Sequence, residues 1–417
     1  MKTIVILGDG MADNPIEKLG GKTPLQYAKT PYMDFLAKTG CTGRLVTVPE
    51  GYMPGSEVAN TAILGYNLDE VYEGRGPLEA ASIGYEMDPL DLALRCNIIS
   101  VRDDGTIKTH NGGNLTTEEA GPLIDYLNAN LGTDKVKWIR GIQYRHLLII
   151  KGGSKHILCA PPHDHPNEEW RPLLVKPEKG KESLYEDGRM TPQETADLIN
   201  DLILRSKDLL EHYSLNIERK KEGKDLANII WPWSGGYRPA MQPLNAIYPN
   251  IKSGAVISAV DLIRGIGHYA GLDIVEVEGA TGLWDTNYEG KTAAAIENLK
   301  TKDFVFLHVE ASDEAGHDGD VDLKVRTIEN LDARMVGPIY EATKDWDEPV
   351  CIAVLPDHYT PVELRVHVGE PVPFIIHAPG QAPDSVQVYD EFSCVNGSYG
   401  ILKLHEFMDT LMKIDNK

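Results

Sequence analysis

Three short apolar runs, Thr3–Leu7, Phe304–Val309 and Cys351–Leu355, each stop abruptly at acids or histidines. Unbroken runs of this length, bounded at once by polar or glycine-containing turns, predict strands buried on both faces of a parallel sheet. In open α/β sheets, ligands collect beyond the carboxyl ends of the strands. Three such ends carrying polar clusters therefore predict one shared site built from distant parts of the chain.

Helices are expected between the strands. Thr191-Pro192-Gln193-Glu194 has an N-cap threonine, a proline at the first helical position and the glutamate of a capping box, predicting a helix to about Tyr213. Ala196, Ile199, Leu202 and Ile203 recur on one face of it, and Val325, Ile328, Leu331 and Met335 form a second stripe; both read as core. A chain of 417 residues exceeds the size at which one core stops growing. The turn pairs Asp104-Gly105 and Gly112-Gly113, then prolines, then the charged run Glu218–Lys224 mark a change of character. Residues 86–222 are therefore expected to form an inserted domain. Residues 1–85 and 223–417 form the main one, its sheet resuming at Ala227–Ile230.

The formal charge of −22 and the lack of a dense Lys/Arg block argue against nucleic acid or an anionic membrane as partner. No run of about 18 apolar residues occurs, and the apolar start is too short for a signal peptide. The five cysteines are an odd number, widely spread, with no C-x-x-C pair. A reduced cytoplasmic setting is expected.

Asp9 lies between two glycines after the first run, where backbone and carboxylate can approach an ion. Asp313 and His317 are four apart beyond the second run, a spacing that suits two ligands on one side of a divalent metal. Asp357 and His358 end the third run, where adjacent side chains pointing to opposite sides could serve two different metals. His367 precedes the stiff turn Gly369-Glu370-Pro371-Val372-Pro373. Ser56 in Pro54-Gly55-Ser56-Glu57 stands before Val58–Leu64, which reads as a helix. That position suits an ordinary N-cap and equally a nucleophile whose phosphate would sit at a helix N-terminus. One divalent ion favours a serine alkoxide and a second neutralises phosphoryl oxygens, so these residues predict two-metal phosphoryl transfer. Mixed carboxylate and imidazole ligands suit manganese or zinc, and magnesium less well.

With these motifs the chain resembles the alkaline-phosphatase superfamily, and within it the archaeal-type cofactor-independent phosphoglycerate mutases. Further motifs carrying the resemblance are Leu64-Gly65-Tyr66, Gly74-Arg75-Gly76-Pro77, Arg95-Cys96-Asn97 and Gly254–Gly267. The resemblance implies an α/β fold with a mostly parallel sheet flanked by helices and an inserted smaller α+β cap. It implies one metal on Asp313, His317 and His367, and another on Asp9, Ser56, Asp357 and His358. Ser56 would carry the phosphoryl group between the two hydroxyls of a small phosphorylated metabolite, phosphoglycerate, while the insert closes over the glycerate. Arg75, Arg95, His163, Asp164 and Arg238 are the candidate substrate contacts. Mutases of this type often carry lysine where this chain has Glu310, a charge inversion suited to an ammonium-bearing acceptor. Two alternatives follow: a homoserine kinase-like phosphotransferase, which a bacterial branch of the family is proposed to be, and a metal-dependent phosphatase in which water resolves the phosphoserine.

Overall fold

The computed structural model describes residues 1–414. The chain divides into two compact units, Met1–Tyr72 with Ala240–Lys417, and Glu73–Pro239. The first segment carries β1 (Lys2–Gly8) and β2 (Cys41–Val46). The insertion holds β3 (Asp91–Val101), β4 (Ile107–Thr109), β5 (Val136–Ile139), β6 (Arg145–Lys151), β7 (Ile157–Leu158), β8 (Lys176–Pro177) and β9 (Ile229–Gly236). The return segment supplies β10 (Gly254–Ile257), β11 (Asp273–Val275), β12 (Phe304–Val309), β13 (Val350–Leu355), β14 (Val372–His377) and β15 (Ile401–Lys403).

The larger unit is built on an eight-stranded sheet in the order β11-β10-β12-β1-β13-β14-β2-β15. The strands from β11 to β13 run parallel, and β14 is antiparallel to both its neighbours. The three apolar runs are thus adjacent strands. Gly8 pairs with Val309 on one side, and Leu7 with Leu355 on the other, so β12, β1 and β13 end together at one sheet edge. Their residues are buried on both faces, the reason the runs are continuous rather than alternating. One face, formed by Ile4, Ile6, Val305, Leu307, Ile352 and Val354, packs on helical residues including Met33, Leu36, Leu299, Ile328 and Leu331. Met335, the end of the expected stripe, lies in a π-helical turn, Asp332–Val336, that continues the helix Val321–Leu331.

The smaller unit carries its own antiparallel sheet, β4-β3-β6-β5, with β9 also paired to β3. Helices Thr117–Leu131 and Pro192–Glu211 supply Leu123, Leu127, Ile199 and Leu202 to its core, around Trp138, Trp170 and Trp231. The capping box forms at Thr191 and Glu194 as the residue types require. Two expectations are corrected. Ala227–Ile230 does not resume the main sheet: Ile229 and Ile230 pair with Ile99 and Ile98 of β3, because an apolar pair fits the open side of the insert's long central strand. The insertion accordingly runs over 73–239 rather than 86–222, taking in the helix Arg75–Ser82 and all of β9. Among the described residues, no helix is long and apolar enough to cross a membrane, and no two cysteines are joined.

A buried lysine ties together the loops that leave β1 and β13. Lys324 Nζ donates to Asp13 Oδ2 at 2.7 Å, to the Ala12 carbonyl at 3.2 Å and to the Thr360 carbonyl at 2.8 Å. Both ionic side chains are essentially without solvent exposure. Replacing Lys324 with Met leaves Asp13 as an unpaired buried charge and is expected to cost about 3–5 kcal/mol in urea unfolding, with the added change Asp13→Asn recovering part of the loss.

Candidate active site

Asp9 is the residue after β1, Asp313 and His317 lie on the helix Ala311–Asp318 that follows β12, and Asp357 and His358 follow β13. Positive φ at Gly10 turns the chain sharply; a Cβ there would lie 2.5 Å from both Asp313 Oδ1 and Thr360 Oγ1. A side chain at position 10 would therefore push the loops apart.

Ser56 is the first residue of the helix Ser56–Ile63, whose N-cap is Gly55. The N-cap expectation for Ser56 is thus replaced by a position one residue inside the helix, which leaves its hydroxyl available. Its Oγ lies 3.2 Å from His358 Nε2 and 3.4 Å from Asp9 Oδ2. Asn60, one turn on, donates through Nδ2 to the Ser56 carbonyl and to Asp357 Oδ2, both at 2.9 Å. Asp357 Oδ1 accepts from the backbone N–H of Gly10 and His358 at 3.1 and 2.9 Å. The Ser312 hydroxyl donates to the Asp9 carbonyl at 2.5 Å, and Thr360 Oγ1 bonds Asp313 Oδ1.

Two donor sets result. In one, His317 Nε2 is 2.8 Å from His367 Nε2 and 3.2 Å from Asp313 Oδ2, and His367 Nε2 is 3.4 Å from Asp313 Oδ1. In the other, His358 Nε2 is 3.4 Å from Asp357 Oδ2 and 3.6 Å from Asp9 Oδ1. His358 also comes within ligand range of Asp313 and His367, so it stands between the sets rather than in one alone. Edges of about 3 Å are what two neighbouring ligands make around one ion with bonds of roughly 2.1 Å. Asp9 Oδ1 is buried without a hydrogen-bond partner, as befits an oxygen shaped for a cation.

The electrostatics agree. Burial, followed by the carboxylates of Asp357, Glu310 and Asp313, pushes the Asp9 carboxyl well above its usual range. Glu310 is pushed up to about 8, first by burial and then by Asp313. Burial would raise Asp313 too, but hydrogen bonds with His317 and His367 outweigh it and hold the group well below its usual range. His317 is raised to about 9, chiefly by its hydrogen bond to Asp313. Burial lowers His358, and takes His308 down to about 3. Such a crowd of carboxylates, with the His308 and His358 rings pushed toward the neutral form, is completed by positive charge.

Sequence reasoning missed His308, the fifth residue of β12. Its Nε2 lies 2.8 Å from Asp9 Oδ2, and its side chain is fully buried. Lying inside an apolar run, it read as a strand residue; the only signal was an imidazole in an otherwise unbroken apolar strand.

In the insertion, Arg95 on β3 pairs with Glu79 at 2.9 Å and stacks over Trp233 at 5.0 Å. His163 packs edge-on against Trp233 and His110, and His110 against Tyr144. Burial lowers Arg95, opposed by Glu79 and assisted by Arg75 and Arg145. Arg75, Arg95 and His163 thus share one positive neighbourhood. Asp164 is exposed beside His163, its Oδ1 3.6 Å from Nε2. Arg238 is exposed past the end of β9 and takes no part in the ring contacts.

The comparisons with known proteins point one way. A family model described as 2,3-bisphosphoglycerate-independent phosphoglycerate mutase matches residues 37–216. A protein of that name from Methanosarcina barkeri is 46% identical over 415 residues, covering 99% of this chain and 100% of its own length. The chain belongs to this family. A relative from Geobacter sulfurreducens, described as a probable 2,3-bisphosphoglycerate-independent phosphoglycerate mutase, is 43% identical and spans 94% of this chain and 95% of its own. Among solved structures, a Pyrococcus horikoshii protein matches with a TM-score of 0.82 and 31% identity, over 100% of this chain and 97% of its own. The cofactor-independent phosphoglycerate mutase of Thermoplasma acidophilum matches with a TM-score of 0.68 and 26% identity, over 99% and 100%. The mostly parallel α/β architecture with a smaller inserted unit is the fold expected for a member of the family.

Asn60 is the neutral donor that orients Asp357. Asn60→Leu removes the partner of Asp357 Oδ2 and of the Ser56 carbonyl, and is expected to cost about 1–3 kcal/mol in thermal or urea unfolding of the metal-free protein.

Proposed function

We infer that this chain interconverts 3-phosphoglycerate and 2-phosphoglycerate through a phosphorylated Ser56. The observation that carries this reading is the Ser56 hydroxyl, 3.2 Å from His358 and 3.4 Å from Asp9, at the meeting point of two donor sets. The full-length relatives named as phosphoglycerate mutases support the substrate.

Asp313, His317 and His367 would hold one divalent ion, and Asp9, Ser56, Asp357 and His358 the other. When bound, these ions favour the serine alkoxide and neutralise the phosphoryl oxygens. Mixed nitrogen and oxygen donors suit manganese or zinc, and magnesium less well. Ser56 Oγ attacks phosphorus, the bond from phosphorus to the substrate's C3 oxygen breaks, and phosphoserine forms with glycerate retained. The C2 hydroxyl then attacks the phosphoserine and releases Ser56; the reverse direction exchanges the two hydroxyls. The helix N-terminus at Ser56 adds a positive dipole end beside the phosphate. Thr360 Oγ1, 3.3 Å from His358 Nδ1, fixes the ring so that Nε2 faces Ser56. Arg75, Arg95, His163, Asp164 and Arg238 are proposed as contacts to carboxylate, phosphate and hydroxyl groups, with Arg75 and Arg95 the anion-binding pair.

The test is phosphorus NMR of manganese-loaded protein given 3-phosphoglycerate, and separately ATP with homoserine. Formation of 2-phosphoglycerate is expected, at a rate falling by at least about 10⁴-fold in Ser56→Ala. Phosphohomoserine without isomerisation would instead select the kinase, and free phosphate alone the phosphatase. Arg75→Ala is expected to raise KM about 10- to 100-fold with a smaller change in kcat, the loss of one charge-assisted contact.

A further inference from the structure

The aromatic wall of the insertion depends on one amide that the proposed mechanism leaves unused. Arg95-Cys96-Asn97 lies along β3, where alternate residues face opposite sides: Cys96 is in the insertion's core, and Arg95 and Asn97 share the other face. Asn97 is only 1% exposed, so both ends of its amide need partners. Its Oδ1 accepts from Trp233 Nε1 at 3.1 Å, and its Nδ2 donates to the His110 carbonyl at 3.1 Å. We propose that Asn97 is a positioning residue for the substrate: it locks the Trp233 indole and the His110 backbone, and through those rings aims Arg95 and His163 at the substrate's carboxylate and phosphate. The inference rests on the reading of Arg95 and His163 as substrate contacts.

Arg95 needs such a platform. Among the described residues its guanidinium makes one hydrogen bond, from Nη1 to Glu79 Oε1 at 2.9 Å, while Nε is buried without a partner. One bond leaves a planar fork free to pivot, and the like charges of Arg75 and Arg145 press on it. Its plane is set by Trp233, over whose ring the guanidinium lies at 5.0 Å. The same indole packs against the His163 ring at 5.2 Å. His163 is in turn 6.2 Å from the His110 ring, which stands 5.7 Å from Tyr144. Asn97 thus holds two members of this row, one by its side chain and one by its backbone.

Asparagine suits both bonds. An indole N–H can only donate and a carbonyl can only accept, so the side chain between them must carry one acceptor and one donor. A leucine of similar size supplies neither and leaves the Trp233 N–H and the His110 carbonyl unpaired. Trp233 is itself buried, so its N–H can regain a partner only if the indole turns toward water, and that movement carries Arg95 and His163 with it.

The test is steady-state isomerisation of 3-phosphoglycerate by full-length, manganese-loaded protein, comparing Asn97→Leu, Trp233→Phe, the two together, and Arg95→Met. Asn97→Leu is expected to raise KM about 3- to 15-fold with kcat within about twofold of wild type, the scale of one hydrogen bond. Trp233→Phe keeps an aromatic face but removes the N–H. The double variant is expected to stay within about twofold of Asn97→Leu alone, because the second change breaks a bond that the first has already broken. An amide that only stabilised the fold would lower the urea midpoint and leave KM unchanged. An unchanged KM in Asn97→Leu, or a double variant whose KM rises by the product of the two single effects, overturns the positioning role while the mutase reading stands. Should Asn97→Leu not fold, Trp233→Phe decides alone: a raised KM supports the role and an unchanged one overturns it. An unchanged KM in Arg95→Met, or no isomerisation by the wild type, overturns the substrate reading and the positioning role with it.

Discussion

Everything in the larger unit answers to one electrostatic constraint: four carboxylates, Asp9, Glu310, Asp313 and Asp357, share one end of three adjacent strands. Burial and mutual repulsion both raise Asp9 and Glu310, while Asp313 is held ionised through its bonds to His317 and His367. A group of buried acids at this density is costly unless cations complete it. The parallel pairing of β12, β1 and β13 makes the crowding unavoidable, because their final residues are in register.

The support around that charge is made mainly of neutral donors. The Ser312 and Thr360 hydroxyls, the Asn60 amide and the backbone N–H groups of Gly10 and His358 fix the ligands without cancelling their charge. The compensating lysine, Lys324, is placed one layer away on Asp13, where it braces the Ala12 and Thr360 carbonyls. The arrangement keeps the loops rigid while leaving the ligand oxygens able to bind ions. The insertion follows a different logic: Arg95 is buried beside Glu79 and stacked on Trp233, so its charge is balanced and its direction set by an aromatic plane.

Much of the larger unit was legible in the chain itself. Buried parallel strands are uniformly apolar, so Thr3–Leu7, Phe304–Val309 and Cys351–Leu355 announced themselves, and their polar ends pointed to Asp9, Asp313, Asp357 and His358. The capping box at Thr191 was equally readable, being a contact between residues three apart. The insertion boundary was not, because Ile229–Gly236 has the composition of any buried strand and only pairing decides which sheet takes it. Whether Ser56 caps its helix or begins it was not legible, because a serine before a helical stretch looks the same in either place, while its suitability as a nucleophile at a helix N-terminus holds for both.

The sequence alone determined which residue types end the strands, and so the class of chemistry, since local composition sets strand burial and ligand identity. Tertiary structure decided the grouping: that His358 stands between two donor sets, that His308 turns from an apolar strand toward Asp9, and that Glu310 joins them. Those relations depend on strand order and register between segments some 300 residues apart in Asp9 and His308. No local pattern encodes such distances, because they are set by how the whole sheet packs.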